Sequence, residues 1–245
     1  MRLKVASYNI HKGVGLDRQR DPDRILTVLR EMDADVIALQ EADLRFGQRE
    51  AVIPRAMLDD HSPWMAVETG HYDRARTAAS MGWHGNALLV RRGIEVVDAS
   101  PVVLPTIEPR GALAATLRLG GELVHVVGMH LDLSGLRRRQ QVRAVCRHVE
   151  ALQDGAHVVM MGDLNEWSAS RGALGAFPAA MRVLAPGRSF PARRPIAQLD
   201  RIVISSGLHV EAAGVHHSPL AAVGSDHLPV WAELELPSKD AKPSA

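Results

Sequence analysis

Apolar and polar positions along this chain alternate in short runs, and several of the runs end on an acid, an amide or an imidazole. Leu3 to Ile10 alternates as a half-buried strand does. Asp21-Pro22 then offers an N-cap and a proline at the first helical position, predicting a helix that carries Ile25, Leu26, Val28, Leu29 and Met32. Asp35 to Glu41 reads as a fully buried strand closing on a carboxylate. A short helix from Ala51 to Leu58 and a strand near Trp64 to Val67 follow. The polar stretch from Glu68 to Trp83, with His71, Tyr72, Asp73, Arg74 and Arg76, is either a substrate lid or, the plainer reading, a mobile connection.

Four runs, Ala87 to Arg91, Ile94 to Val103, Ala112 to Leu119 and Glu122 to Met129, predict antiparallel neighbours, with Gly120-Gly121 as a hairpin turn. Arg137 opens an amphipathic helix reaching Gln153, with Val142, Val145, Cys146, Val149 and Leu152 at helical spacing. Its basic start suits phosphate, although a solvated face is the commoner use of such a charge run. His157 to Met161 is an apolar strand that delivers Gly162-Asp163-Leu164-Asn165 at its mouth, with Asp163 and Asn165 on one side of an extended backbone. A glycine- and alanine-rich segment predicts short helices, and Ser189 to Pro195 is a proline-punctuated loop. Strands at Leu199 to Ile204, Leu208 to Val215 and Leu228 to Leu236 complete one domain over 1–236, and the tail 237–245 has a disordered composition.

Composition narrows the function classes. At 245 residues and 46% apolar content the chain can bury a large core, and no window approaches the ~18 uninterrupted apolar residues of a membrane span. No transmembrane segment or export signal is expected. The single cysteine, Cys146, excludes an intrachain disulfide and a thiolate metal cluster and points to a reducing compartment, the cytoplasm. With 29 basic against 28 acidic residues and 4% aromatics, the chain as a whole carries no footprint for a polyanion.

Glu41, Asp163, Asp200 and Asp226, with Asn9 and Asn165, form an oxygen-rich set that suits Mg²⁺ or Mn²⁺ better than zinc. His130 and His227 are candidates for a softer metal only as a lesser reading, because the usual histidine or cysteine spacings are missing. Asp200 stands in an apolar run, where an unpaired carboxylate is costly, so it needs a partner. His227 is a good one, since an acid-held histidine is fixed in one tautomer; the competing partner is an arginine such as Arg201.

The order Tyr8-Asn9-Ile10, Leu39-Gln40-Glu41, Gly128-Met129-His130-Leu131, Gly162-Asp163-Leu164-Asn165, Leu199-Asp200-Arg201-Ile202 and Ser225-Asp226-His227-Leu228-Pro229 resembles the endonuclease/exonuclease/phosphatase superfamily, the deoxyribonuclease I-like fold. The resemblance covers nearly the whole chain. His84-Gly85-Asn86-Ala87, Arg110-Gly111-Ala112-Leu113, the helix start with Arg138 and Gln141, and Ser189-Phe190-Pro191 further resemble a compact bacterial branch of it. It implies an α/β (α+β) fold, a four-layer sandwich of two mainly antiparallel sheets flanked by helices, with a metal-dependent phosphoesterase site at one edge.

Carried onto this chain, the resemblance makes Glu41 the principal Mg²⁺ ligand, with Asn9 beside it and Asp226 near the metal through water; Mn²⁺ substitutes. Asp163 and Asn165 orient or activate the attacking water. His130 and His227 contact phosphate oxygens, with Asp200 behind His227, and the proton is assigned to the Asp163 and His227 unit. Asn86, Arg110 and Arg138 are the expected substrate contacts, although an arginine such as Arg110 is as often a solvated strand end. One departure is His11, where some nuclease relatives place an acid. The implied activity is hydrolysis of a phosphodiester or phosphomonoester, a small or lipid-derived ester being favoured. The alternatives are a Mg²⁺-dependent endo- or exonuclease on DNA or RNA and, a lesser one, a non-catalytic phosphate-binding module.

Overall fold

Two six-stranded sheets lie face to face in the computed structural model, which describes residues 1–44, 49–69, 79–106, 110–152 and 154–237. The polar stretch around His71 to Arg76 and the tail beyond Pro237 lie outside the described residues. The first sheet has the order β11-β12-β1-β2-β4-β3, built from β1 (Arg2–Asn9), β2 (Val36–Gln40), β3 (Trp64–Ala66), β4 (Ala87–Arg91), β11 (His209–Val215) and β12 (Val230–Glu235). The second has the order β5-β6-β7-β8-β10-β9, from β5 (Glu95–Val102), β6 (Gly111–Leu119), β7 (Glu122–His130), β8 (His157–Asp163), β9 (Met181–Leu184) and β10 (Asp200–Ser205). The helices are α1 (Pro22–Met32), α2 (Arg55–His61), α3 (Gly135–Glu150) and the short α4 (Ala221–Gly224).

Each sheet holds one parallel pair at its centre, β1 with β2 and β7 with β8. A parallel pair needs a crossover, and α1 and α3 supply the two. Asp21 caps α1 by accepting the Arg24 amide, with Pro22 in the first turn. The apolar face of α1 packs on Tyr8, Ile37 and Leu39 of the first sheet. Val142, Val145, Cys146 and Val149 of α3 pack on Val127, Met129, Val158 and Met160 of the second. The remaining face of each sheet, with Val5, Val36, Val126, Val159, Met161 and Ile202, meets its counterpart in a third core. Helix, sheet, sheet, helix is the four-layer sandwich.

Three expectations change. The strand 87–91 is not a neighbour of the three that follow it; β4 pairs with β2 and β3 in the first sheet, while β5, β6 and β7 form the expected antiparallel run in the second. The short helix begins only at Arg55, because Pro54 ends the extended lead-in and supplies its N-cap position. The glycine- and alanine-rich segment makes a single 3₁₀ turn, Gly172–Ala176, and then an unexpected strand, β9, that covers the edge of β10.

Because side chains alternate along a strand, the parity that sends Val5, Ser7 and Asn9 between the sheets also sends Gln40, His130, Asp163 and Asp200 there. Gly111, His130, Asp163 and Asp200 stand side by side across β6, β7, β8 and β10. Gly162 makes this possible on β8: a Cβ there would meet the Met129 carbonyl oxygen at 1.8 Å. The core is therefore apolar along its length and polar at one edge.

Candidate active site

Asp163 is the hub of that polar edge. Its Oδ2 accepts a hydrogen bond from Asn9 Nδ2 at 3.1 Å and lies 3.4 Å from His130 Nε2 and 3.7 Å from His227 Nε2. Its Oδ1 accepts the Asn165 amide at 2.9 Å. Asn9 comes from the first sheet and Asp163 from the second, so the bond ties the two sheets where they open. Burial alone would raise the Asp163 pKa, but the charge of His227 and the hydrogen bond and charge of His130 hold it well below the usual carboxylate range.

His227 is held from behind. Its Nδ1 lies 2.9 Å from Asp200 Oδ2, and the same oxygen accepts the Ser189 hydroxyl. Phe190 packs against the imidazole at a ring-centre distance of 4.8 Å. Burial would depress the imidazole pKa, yet the charges of Asp200 and then Asp163 prevail and raise it to about 10. Arg201, the competing partner for Asp200, turns its guanidinium to the carbonyl oxygens of Gln198 and Asp200 instead.

Across the cleft, Glu41 follows β2 in a left-handed conformation, φ 53°, and its carboxylate takes a hydrogen bond from the Lys12 ammonium. Burial would raise Glu41, but Lys12, with His130 and His11, holds it below its ordinary value. His11, Lys12, Glu41, His84 and Asn165 all have positive φ, a conformation costly to non-glycine residues and concentrated here on loops at one edge. Asp226 lies beside His11, whose Nδ1 is 3.9 Å from its Oδ1. Ser225 anchors that turn by donating to the Asn9 carbonyl at 2.7 Å.

The donor set fits a hard divalent cation. Asn9, Glu41 and Asp226 offer oxygens, and the ammonium on Glu41 is already a cation at the carboxylate expected to hold the metal. Among the described residues no three His, Cys, Asp or Glu converge into a cage.

The three expected substrate contacts divide. Arg110 lies at the site, its guanidinium against His130 Nε2 and donating to the Leu131 carbonyl at 3.1 Å. Asn86 is buried and spends its Nδ2 on the Gly111 and Trp83 carbonyls, a strut between the sheets below the site. Arg138 is also buried, and it donates to the Asp132 and Leu133 carbonyls and to Glu166 Oε2 at 3.3 Å. Both are built into the wall.

Lys12 and Glu166 carry no individual functional expectation from the sequence, and Ser189 and Phe190 enter only as part of the Ser189 to Pro195 loop, expected to select the ester group. Glu166 closes the loop after β8 by accepting the amides of Ser168 and Ala173 as well as Arg138. Its place inside Gly162-Asp163-Leu164-Asn165-Glu166 was the available signal. Ser189 and Phe190 stood in the stretch that resembled a bacterial branch, and their contact with the Asp200 and His227 pair carries no local signature.

Buried acid, amide and imidazole side chains gather at the open edge of a two-sheet sandwich. The sequence profile of the Endonuclease/Exonuclease/phosphatase family matches residues 6–227, and the chain belongs to that family, which comprises hydrolytic phosphoesterases and nucleases. Uncharacterized protein YbhP of Escherichia coli (strain K12) is 28% identical over 257 residues, 96% of each chain. The mannosyl-6-phosphatase Bt3783 of Bacteroides thetaiotaomicron VPI-5482 superposes with a TM-score of 0.73 at 19% identity, covering 96% of this chain and 100% of that one. D. rerio TDP2 complexed with single strand DNA product gives 0.73 at 16% identity, covering 96% and 99%. At such identities the structural matches establish the fold.

Proposed function

We propose that this protein is a divalent-metal-dependent phosphoesterase that hydrolyses a phosphodiester or phosphomonoester by in-line attack of water, with a small or lipid-derived ester preferred to nucleic acid. The observation that carries this reading is the convergence of Asn9, His130 and the His227–Asp200 pair on one buried carboxylate, Asp163. An ionised carboxylate beside an imidazole held protonated is suited to orienting the attacking water by hydrogen bonding while the imidazolium faces the phosphate, and its lowered pKa makes it a weak base on its own. The proton belongs to the coupled pair of Asp163 and His227.

In this reading Asn9 and the Asn165 amide aim the Asp163 oxygens, and Asn165 Nδ2, bound to the Leu131 carbonyl at 2.9 Å, fixes the loop. His130 and Arg110 donate to non-bridging phosphate oxygens, exchanging their contact with each other for the ligand. Asp200 keeps His227 in one tautomer and orientation. Glu41, with Asn9 and Asp226, would hold Mg²⁺ or Mn²⁺, which when bound polarises a phosphate oxygen or stabilises the leaving one. Arg138 and Asn86 support the walls and leave direct contact to Arg110. The complete polar set argues against a non-catalytic binding module. The lone Cys146 supports a cytoplasmic setting, and no described helix is long and apolar enough to cross a membrane.

The test is hydrolysis of chromogenic phosphodiesters and phosphomonoesters by the purified chain, with Mg²⁺, Mn²⁺ or chelator, beside His227→Ala. Metal-stimulated turnover that disappears in the variant supports the reading. Equal turnover in chelator, or in the variant, removes it.

A further inference from the structure

The five most exposed large apolar side chains among the described residues are Val103 (77%), Leu136 (69%), Leu133 (65%), Trp167 (62%) and Ile196 (60%); the next, Met1, is at 46%. They come from four separate stretches of the chain, yet all five sit on the loops, or in the first turn of α3, that leave the catalytic edge of the second sheet. Val103 follows β5, whose last residue pairs beside Gly111; Leu133 and Leu136 follow β7, Trp167 follows β8, and Ile196 precedes β10. These loops are tied together. Trp167 meets Phe190 edge-on at 6.2 Å, Ile196 donates its amide to the Phe190 carbonyl, Arg139 bonds the Gly172 carbonyl, and Gln141 joins Asp132 to Pro105. Solvation does not favour such a cluster on a free surface, and large apolar side chains gathered at one edge mark a contact site.

On three of these stretches the exposed charges have one sign. Residues 131–139, 164–172 and 185–198 contain two acids, Asp132 and Glu166, both buried. Their exposed charged residues are Arg139, Arg171, Arg188, Arg193 and Arg194. Protruding aliphatic side chains inside a field of exposed arginines match an anionic lipid surface, where the apolar groups enter the acyl boundary and the guanidinium groups meet headgroup phosphates. Single-stranded nucleic acid needs aromatic faces for stacking, and only one of the five side chains has one.

We propose that this edge docks on an anionic lipid bilayer, bringing the mouth of the site to a phosphate ester carried by a membrane lipid. The docking stands on the exposed side chains alone; the lipid-borne substrate rests on the phosphoesterase reading above.

The experiment sediments the full chain with vesicles of phosphatidylcholine alone or mixed with phosphatidylglycerol, at low and high salt, and assays the same preparations on a soluble chromogenic phosphodiester. Expected is capture by the mixed vesicles, weak capture by the neutral ones, and loss of capture as salt rises. The Leu133→Ser/Leu136→Ser and Arg193→Glu/Arg194→Glu pairs should each lower vesicle affinity about 10-fold or more, with turnover of the soluble ester unchanged. Equal capture by both vesicle types, parent-like binding by both double variants, or displacement from vesicles by a single-stranded oligonucleotide at lower concentration than by soluble glycerophosphate would overturn the proposal. Vesicle capture by a chain inactive on every phosphate ester would leave docking standing and remove the phosphoesterase reading. Turnover without capture would do the reverse.

Discussion

His227 Nδ1 lies 2.9 Å from Asp200 Oδ2, with both side chains almost wholly buried. A carboxylate in that position has no solvent to fall back on, so the imidazole is its principal charge partner and the two act together. His227→Ala should lower turnover by ~10²–10⁴, as loss of a positioned proton donor or acceptor does. Asp200→Asn should cost less, and the double variant should be far less impaired than the product of the singles. Kinetics of all four proteins on one phosphodiester decide it; multiplicative losses would mean that Asp200 does not act through His227.

The same unit sets a pH dependence in metal-free protein. His227 has a folded pKa of about 10, above its ordinary value, so its contribution to stability is complete below about pH 6.5 and is lost as pH rises through about 10. Asp163 is shifted down, so its contribution is present above about pH 4 and is lost as pH falls below that. In chelator, urea midpoints should decline on the alkaline side, and His227→Gln should flatten that decline. A parent protein whose midpoint stays level to about pH 10 contradicts the assignment.

Lys12 and Glu41 make a prediction that needs no substrate. In metal-free protein the ammonium neutralises Glu41, so an entering cation must displace it. Mg²⁺ should raise the Tm of the parent, raise that of Lys12→Met more, and leave Glu41→Gln unmoved. Thermal shifts across a Mg²⁺ titration give the answer, and a Glu41→Gln protein that responds as the parent does places the cation elsewhere.

Arg110 and Arg138 should separate cleanly. Arg138→Ala removes support from the Leu131–Ser134 turn and leaves Glu166 short of a partner, a stability loss of about 2–3 kcal/mol. Arg110→Ala should change stability little and raise KM about 10-fold, the expected cost of losing a charged phosphate contact. Denaturant midpoints and steady-state kinetics on the two variants suffice. The opposite pattern would exchange their roles.

Most of the strands and most of the polar cluster could be read from the sequence because they depend on local periodicity and on what stands at strand ends, whereas the layer order followed from the family resemblance. Asn9, Glu41, His130, Asp163 and Asp200 are legible in that sense: each ends or begins an apolar run. Sheet membership was not. Nothing local distinguishes a turn that continues a sheet from one that crosses to the other, and Ala87–Arg91 takes its place by pairing with Val36–Leu39, some fifty residues earlier. The surroundings of Arg138 were not legible either, for a related reason. A basic helix start looks the same whether its arginine faces solvent, phosphate or, as here, a buried glutamate 28 positions away.

Intact duplex DNA should be a poor substrate compared with a small or lipid-borne phosphate ester. A duplex-cutting enzyme neutralises phosphates on both sides of the cleaved bond, which requires free cations flanking the cleft on both sheets. Among the described residues, exposed arginines stand on second-sheet loops at the catalytic edge, Arg139, Arg171, Arg188, Arg193 and Arg194, and on the first-sheet loop after Lys12, Arg18 and Arg20. On the first-sheet side, Lys12 is paired with Glu41, Arg24 with Asp17, and Arg55 with Glu68. Arginines interleaved with protruding apolar side chains suit a planar anionic surface or a single phosphate group better than a double-helical track. Supercoiled plasmid and a panel of small phosphodiesters, incubated with Mg²⁺ or Mn²⁺ at moderate salt, make the comparison, with His227→Ala to exclude contaminating nuclease. Efficient nicking by the parent, absent from the variant and falling steeply as salt rises, would return the nuclease reading to first place.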